Sequence, residues 1–533
     1  AVPGRRAWAW CAHGFAGPPR VTYSAQVAPP FQTRALLVWL LTFAAASAGL
    51  VSAALPAQAV ARANAQPAWS MVPMSKDANH DGFIDGDGGV PTSGALSLAP
   101  STSFEGAGNG VAQPNERLIS GALSWYLDDA GYPVSLDACD SAGRTYTWKI
   151  TGPDGRTTTT PSRGLARKTC RTTVLLPEGT HTLALTVSGA GASSTRSIVA
   201  DVRNILLVAL GDSYASGVGN PRNVEAWLHV AGPLTAFRPY WDFAPCERST
   251  HGSPAQAALA LERSSPKTSV TLVDVTCGGA TVDAGVLGPQ PGVEASQIEQ
   301  VRRLVGGRAI DLVTVTVGGN DIGFGSVLLA CATDADCPLS KATSGPLRSY
   351  PTIQDGIQGQ LAKLSGGYDR IAGCLGGAAC TISGPGADAP LALAPGARVL
   401  ATMYPDITRA ADGQACSYLT FEPRNMAWAR DTVLVPTPTS PYVYPSARRG
   451  QVSLTLPNGT LNSQIAATTR VGWTPVVGTW AASGDSAVGH GMCAGSQAWA
   501  YGLTALAGFA SASFHPNPVG QAVAADAIVG AAR

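Results

Sequence analysis

The chain has 533 residues, with 36 Lys plus Arg against 35 Asp plus Glu and a formal net charge of +1. That length holds two domains and a sizeable core. The near-zero charge excludes the basic excess of a nucleic-acid binder, so no nucleic-acid partner is expected. Charged residues make up only 13% of the chain while Gly and Pro number 61 and 39, the composition of a loop-rich globular protein.

Residues 1–59 read as an upstream segment and signal peptide. Arg20 and Arg34 precede an apolar run over 35–55, and Ala57-Gln58-Ala59 then offers a small-residue cleavage site. This pattern predicts a secreted, extracellular protein. A transmembrane anchor is the competing reading, because the run approaches the ~20 residues that span a bilayer. Cysteine usage points outward too. Of the eleven cysteines, Cys11 lies upstream of the signal. The other ten are Cys139, Cys170, Cys246, Cys277, Cys331, Cys337, Cys374, Cys380, Cys416 and Cys493. An even set in an exported chain reads as a disulfide framework, with sequential pairing expected although sequence alone does not fix connectivity. A zinc site is the alternative, but the chain lacks a CxxC pair and only His490 lies near a cysteine in sequence.

Residues 60–117 read as a linker with a calcium-loop-like motif. Asp77, Asn79, Asp81 and Asp85 place oxygen-bearing side chains at alternate positions, with Gly82 where such a loop turns. Gly88 stands where a bidentate Glu would complete an EF-hand loop. The segment is either a structural calcium site or an Asp/Gly-rich turn that binds nothing.

Residues 118–203 read as a small β-sandwich, similar to immunoglobulin-like or PKD-like repeats. Thr145–Ile150 and Thr180–Val187 alternate polar and apolar residues, and Pro153-Asp154-Gly155 and Pro177-Glu178-Gly179 supply turns. A Cys139–Cys170 bridge suits such a domain. No catalytic constellation stands in it; it either makes a cell-wall or polymer contact or only acts as a spacer.

From residue 204 to 533 the pattern changes to α/β. Ile205–Leu210 is a continuous apolar run, as a strand buried on both faces requires. Val270–Val275, Leu312–Val317 and Val399–Met403 are Val-rich runs of the same kind, and helical patterns fall at Glu294–Val305, Ile353–Leu364 and Val519–Ala532. Alternating strands and helices predict a parallel sheet covered on both faces, with the active site at the carboxyl ends of its strands.

The residues with chemistry sit at those ends. Gly211-Asp212-Ser213 follows the first strand, where a tight turn exposes a hydroxyl and a backbone N–H. Cys277-Gly278-Gly279 follows the second, and Gly-Gly lets a backbone N–H approach a ligand. Gly318-Gly319-Asn320-Asp321 follows the third and offers an amide. Near the end of the chain, Ser513-Phe514-His515-Pro516-Asn517 precedes a helix and offers a general base. Each block alone has a bland reading as an ordinary turn or a structural histidine.

Taken in order, the four blocks resemble those of the SGNH hydrolases, or GDSL esterases/lipases, in their secreted actinobacterial branch. The resemblance covers residues 204–533 and implies a flavodoxin-like three-layer parallel-sheet fold. It further implies Ser213 as nucleophile and His515 as base, with Ser213, Gly279 and Asn320 as oxyanion donors. Cys246–Cys277 resembles the family's first bridge, and His490-Gly-Met-Cys493 with Trp499 resembles the segment before the last block. One position departs: the Asp expected three residues before the His is Ala512. A backbone carbonyl of Ala512 or Ser513 is expected to orient the imidazole instead. The expected function is hydrolysis of acyl esters, lipid-type first, through an acyl-enzyme and with no catalytic cofactor. The alternatives are a carbohydrate (acetyl) esterase whose β-domain binds polymer, and a non-catalytic cell-surface binding protein.

Overall fold

The computed structural model describes residues 62–75, 77, 80–85, 111–112, 118–119, 122–123, 131–224, 239–417, 420–477, 489–504 and 509–533. The expected signal segment, the completion of the calcium-like loop and Asn79 lie outside them.

The organising element is one strand. Residues 193–197 are Ser, Thr and Arg, residues 198–203 mix apolar and charged side chains, and Ile205–Leu210 continues as a purely apolar run. The whole segment, Ala192–Gly211, is a single strand of 20 residues. It pairs antiparallel with Gly179–Gly189 along its first half. Its second half pairs parallel with Thr268–Asp274 on one side and Ile310–Thr316 on the other. Beyond Ile310–Thr316 the parallel sheet continues through Leu393–Thr402 to Thr474–Val476. On its opposite side Val111–Ala112 pairs with Thr268–Asp274. The result is a mixed α/β protein with a mainly parallel central sheet. The position between residues 203 and 204 falls inside this strand, and Val60–Arg533 forms one compact unit.

Burial explains the apolar run. Leu206, Val208 and Leu210 enter the core beneath the helices Gln297–Val305 and Ile353–Cys374. Their alternate neighbours Leu207 and Ala209 enter a second core with the helices Ser253–Arg263 and Pro518–Ala532. The strand is therefore sandwiched between two apolar layers, and each fully buried Leu or Val contributes about 1.5–3 kcal/mol.

The remaining β-structure is built on period-2 patterning. Tyr132–Asp137 buries Tyr132, Val134 and Leu136 and pairs with Ala68–Met71 and Arg171–Leu176. Thr145–Thr151 buries Tyr146, Trp148 and Ile150 and pairs with Gly179–Gly189, which buries Leu183, Leu185 and Val187. The described cysteines form five bridges: Cys139–Cys170, Cys246–Cys277, Cys331–Cys337, Cys374–Cys380 and Cys416–Cys493. Among the described residues, no helix is long and apolar enough to cross a membrane.

The acidic loop over 77–85 straps onto the helix Ser253–Arg263. The Asp77 carboxylate accepts the N–H groups of Asp81 and Gly82 and pairs with Arg263. Phe83 stacks on His251 with ring centroids 3.9 Å apart, and Ile84 is buried in the second core. The backbone N–H groups of Met74 and Ser75 donate to Glu262 at the same helix.

Candidate active site

Four loops leave the carboxyl ends of the central strands or precede the last helix, and they meet around one pocket of about 640 Å³. Ser213, Gly279, Asn320 and His515 all line it.

The turn after Ala192–Gly211 is held by its neighbours. The Gly211 peptide exchanges two hydrogen bonds of 2.8 Å with the Gln297 side-chain amide. At φ +153°, a Cβ on Gly211 would come within 2.5 Å of the Thr316 carbonyl oxygen, so glycine alone fits. Asp212 caps the one-turn helix Ser213–Ser216 by accepting the Tyr214 N–H at 3.0 Å. Ser213 thus opens a helix at the end of a buried strand, with 9% of its surface exposed into the pocket.

The second and third loops are cross-linked. The Asn320 side-chain amide donates to the Ala280 carbonyl at 3.0 Å, and the Val282 N–H donates to the Asp321 carboxylate at 3.1 Å. Burial pushes the Asp321 pKa up to about 6, against the opposing effect of the Val282 N–H. Gly279 takes φ +80°, and nothing stands within 4 Å of where its Cβ would be. Its backbone therefore faces the pocket bare. The Cys246–Cys277 bridge and a 2.9 Å bond from the Gly278 N–H to the Cys246 carbonyl fix this loop from below.

His515 sits on a turn that its neighbours force. Phe514 adopts φ +66°, a left-handed conformation that costs a non-glycine residue roughly 1–3 kcal/mol. The Tyr214 hydroxyl donates to the Phe514 carbonyl at 2.8 Å, and the Asn220 amide donates to the Pro516 carbonyl at 2.7 Å. The backbones of Tyr501 and His515 are hydrogen-bonded as well. On this turn the His515 Nδ1 lies 2.9 Å from the Ser513 carbonyl oxygen. A carbonyl only accepts, so Nδ1 carries the proton and Nε2 is left as the basic nitrogen. Desolvation in the pocket pulls the His515 pKa down to about 4, against the effect of the Ser513 and Ser511 carbonyls, so the ring is neutral at pH 7. Ala512 is fully buried beside this turn, in a small cluster with Val224, Trp241 and Phe509.

Several residues complete the site without any motif to mark them. Tyr404 stands just past the fourth strand. Its hydroxyl accepts the Gly319 N–H at 3.0 Å and donates to the Asp212 carboxylate. It thereby ties the Ser213 turn to the Asn320 loop. Burial raises the Asp212 pKa to about 7, against the lowering effect of the Tyr404 and Tyr214 bonds. The helix Phe324–Thr333 follows the Asn320 loop and sends Phe324, Leu328, Leu329 and Ala332 into the pocket wall. Glu247 and Ser511 line the pocket together with His515, and burial raises the Glu247 pKa against the opposing effect of the Ser511 side chain. The strand-end position of Tyr404 is a usable signal, since three other strand ends carry site residues. Glu247 and Ser511 have none.

The Asp77 carboxylate is occupied by Arg263 and two backbone N–H groups, and the Phe83 N–H donates to Asp81. Asp77, Asp81 and Asp85 supply the hard oxygen ligands that calcium takes, but a bound ion would have to displace Arg263 from Asp77.

No protein-family model matches the chain. Lipase 2 of Streptomyces coelicolor is 30% identical over 214 residues, which is 39% of this chain and 55% of that protein. A lipase of Streptomyces rimosus is 30% identical over 207 residues, 39% of this chain and 59% of its own. The chain thus spans a little over half the length of these curated relatives. Among solved structures, a carbohydrate acetylesterase from Xanthomonas citri aligns over 62% of this chain and 68% of its own at 11% identity. Its TM-score is 0.18, too low to carry an argument about fold. Over a portion of its length, then, the chain is similar to two streptomycete proteins named as lipases.

Proposed function

We propose that this chain is a secreted serine ester hydrolase of the SGNH type, cleaving acyl esters of lipid character by a Ser–His mechanism. The observation that carries the reading is the convergence of Ser213, Gly279, Asn320 and His515 on one pocket, with His515 Nδ1 held by the Ser513 carbonyl.

In this mechanism His515 Nε2 takes the Ser213 hydroxyl proton as the oxygen attacks the ester carbonyl. The tetrahedral oxyanion accepts from the N–H groups of Ser213 and Gly279 and from the Asn320 amide. His515 returns its proton to the alcohol oxygen, and the acyl C–O bond breaks. Water then attacks the acyl-enzyme by the same steps, releasing the acid and restoring Ser213. The chemistry needs no metal or redox cofactor. The Ser513 carbonyl takes the place of an orienting acid: it fixes the tautomer but supplies no full negative charge. The apolar wall from Phe324 to Ala332, with Phe421, Leu503 and Phe514, suits an acyl chain longer than acetyl. Disulfide density supports an extracellular setting, and the β-structure before residue 204 is read as a sandwich that contacts cell wall or polymer.

The test is a series of p-nitrophenyl esters from acetyl to palmitoyl, with acetylated xylan beside them, for wild type and S213A. Wild type is expected to hydrolyse the longer acyl esters, and S213A to lose at least ~1000-fold of that turnover. Covalent labelling of Ser213 by a phosphonate ester should follow the same pattern. Folded wild type inert towards all esters, or S213A retaining full activity, overturns the reading.

A further inference from the structure

We propose that Glu247 and Ser511 form a subsite for the leaving alcohol and select alcohols that carry hydroxyl donors, such as a polyol; the proposal rests on the ester-hydrolase reading above.

The pocket has two unlike sides. The Asn320 loop runs straight into the helix Phe324–Thr333, so the oxyanion side continues into the apolar wall. An acyl chain bonded to the carbonyl carbon extends along that wall. The alcohol oxygen must receive the His515 proton, so the alcohol lies on the side of His515. There Phe514 is joined by the polar groups of Glu247, Ser511 and Ser513. Ser511 is close enough to both groups that its backbone opposes the burial lowering the His515 pKa and its side chain opposes the burial raising that of Glu247.

Glu247 is built into place rather than left to solvent. It is half-buried and adopts φ +45° at the end of the turn Ala244–Cys246, directly after the Cys246–Cys277 bridge. Its neighbour Arg248 is buried and donates to the Thr276 carbonyl at 3.0 Å. Left-handed backbone on a glutamate is strained, and the two pinned neighbours hold it there. Among the described residues Glu247 has no ion-pair partner. Its carboxylate offers about four acceptor sites, and the residue lines the pocket. The other carboxylate among the described lining residues, Asp212, is committed to Tyr404 and the Tyr214 N–H. A hydroxyl donor on the departing alcohol fits the Glu247 acceptor sites; a plain alkyl alcohol leaves them unused.

Glycerol monolaurate and ethyl laurate test the idea, because they share one long acyl group and differ only in the alcohol. The quantity read is the ratio of their kcat/KM values, which reports the steps up to loss of the alcohol. Replacing Glu247 by Ala is expected to lower the ratio, glycerol ester over ethyl ester, by about tenfold, the worth of one hydrogen bond to a charged group. E247Q, which keeps the shape and a weaker acceptor, is measured beside it and should lower the ratio by about threefold. Thermal melting verifies folding, and E247Q decides if E247A does not fold. Equal losses on both esters mark a structural role and overturn the proposal, as does an unchanged ratio. If wild type cleaves neither ester, the ester-hydrolase reading itself falls; if it cleaves both and the ratio ignores Glu247, only the subsite falls.

Discussion

Replacing Tyr404 by Phe removes a single hydroxyl that serves two partners. The Asp212 carboxylate loses a donor, and the Gly319 N–H loses its acceptor at 3.0 Å. The aromatic ring and its edge contact with Tyr214, 5.1 Å between centroids, are kept. The cost depends on pH. Burial holds the folded pKa of Asp212 at about 7, above the ordinary value of 3.8. Between these values the folded protein binds a proton that the unfolded chain has released. Stability therefore falls as pH rises from about 4 to 7, and above 7 the fold must accommodate a buried carboxylate. The Tyr404 bond opposes that penalty. Without it the folded pKa rises further, and the loss is greatest where Asp212 would otherwise be ionised. A bond to a charged group is worth about 1.5–3 kcal/mol, against about 0.5–1.5 for a neutral one, and the orphaned Gly319 N–H adds roughly 1 kcal/mol in either case. Y404F should thus be destabilised by about 2.5–4 kcal/mol at pH 8 and about 1.5–2.5 at pH 5. Urea unfolding at the two pH values measures the difference. Turnover should fall about tenfold as well, because the Asn320 loop is no longer tied to the Ser213 turn. Equal losses of stability at pH 5 and pH 8, or none, would refute the assignment of Tyr404 as the donor to a buried carboxylate.

Other outcomes follow from the same site. His515, with its pKa near 4, is neutral and competent as a base above that value, so the acidic limb of kcat/KM should centre near pH 4. A limb near 6.5 in the pH profile would show an imidazole not desolvated in the free enzyme. Alanine replacement of each acidic residue from 204 onward should leave no single loss equal to that of H515A, since the Ser513 carbonyl holds Nδ1; a folded acid variant matching H515A in a turnover assay would sink this. Replacing Cys246 and Cys277 together by Ser should cost about 2–5 kcal/mol in urea unfolding and lower kcat, because the bridge joins the loops carrying Gly279 and Glu247. R263A frees the Asp77 carboxylate, so millimolar calcium should raise its melting temperature more than that of wild type; an equal or absent shift counts against calcium at the loop.

The legible features of this protein are those written in local sequence. Ile205–Leu210 can be assigned because a strand buried on both faces must be apolar at every position, and Leu206 and Leu207 do enter different cores. Gly211, Gly279 and Asn320 stand out because they follow such strands. The start of the long strand does not show: residues 192–203 are largely exposed and carry Ser, Thr and Arg, so nothing joins them to the apolar run. The helix Ser253–Arg263 is a weaker signal, with Pro254 at its first turn but a run of Ala and Leu that lacks a polar face of its own. Glu247 and Ser511, and what the Tyr404 hydroxyl joins, are beyond reach for another reason. Their roles arise from meetings between loops far apart in the chain, such as Tyr404 with Asp212, 192 residues away. Local spacing carries no trace of such a meeting.

The unbroken strand Ala192–Gly211 also bears on how the molecule comes apart. Its first half is zipped to Gly179–Gly189 and its second half leads into the Ser213 turn. Loosening either end strips hydrogen bonds from the same stretch of backbone. The β-region and the α/β region are therefore expected to melt as one cooperative unit, giving a single calorimetric transition whose enthalpies by heat and by van't Hoff analysis agree. Two separated transitions would show that the shared strand does not couple them. With coupling, a substitution that weakens Trp148 or Leu185, far from the pocket, reaches Ser213 as lost population of the working fold rather than as altered chemistry.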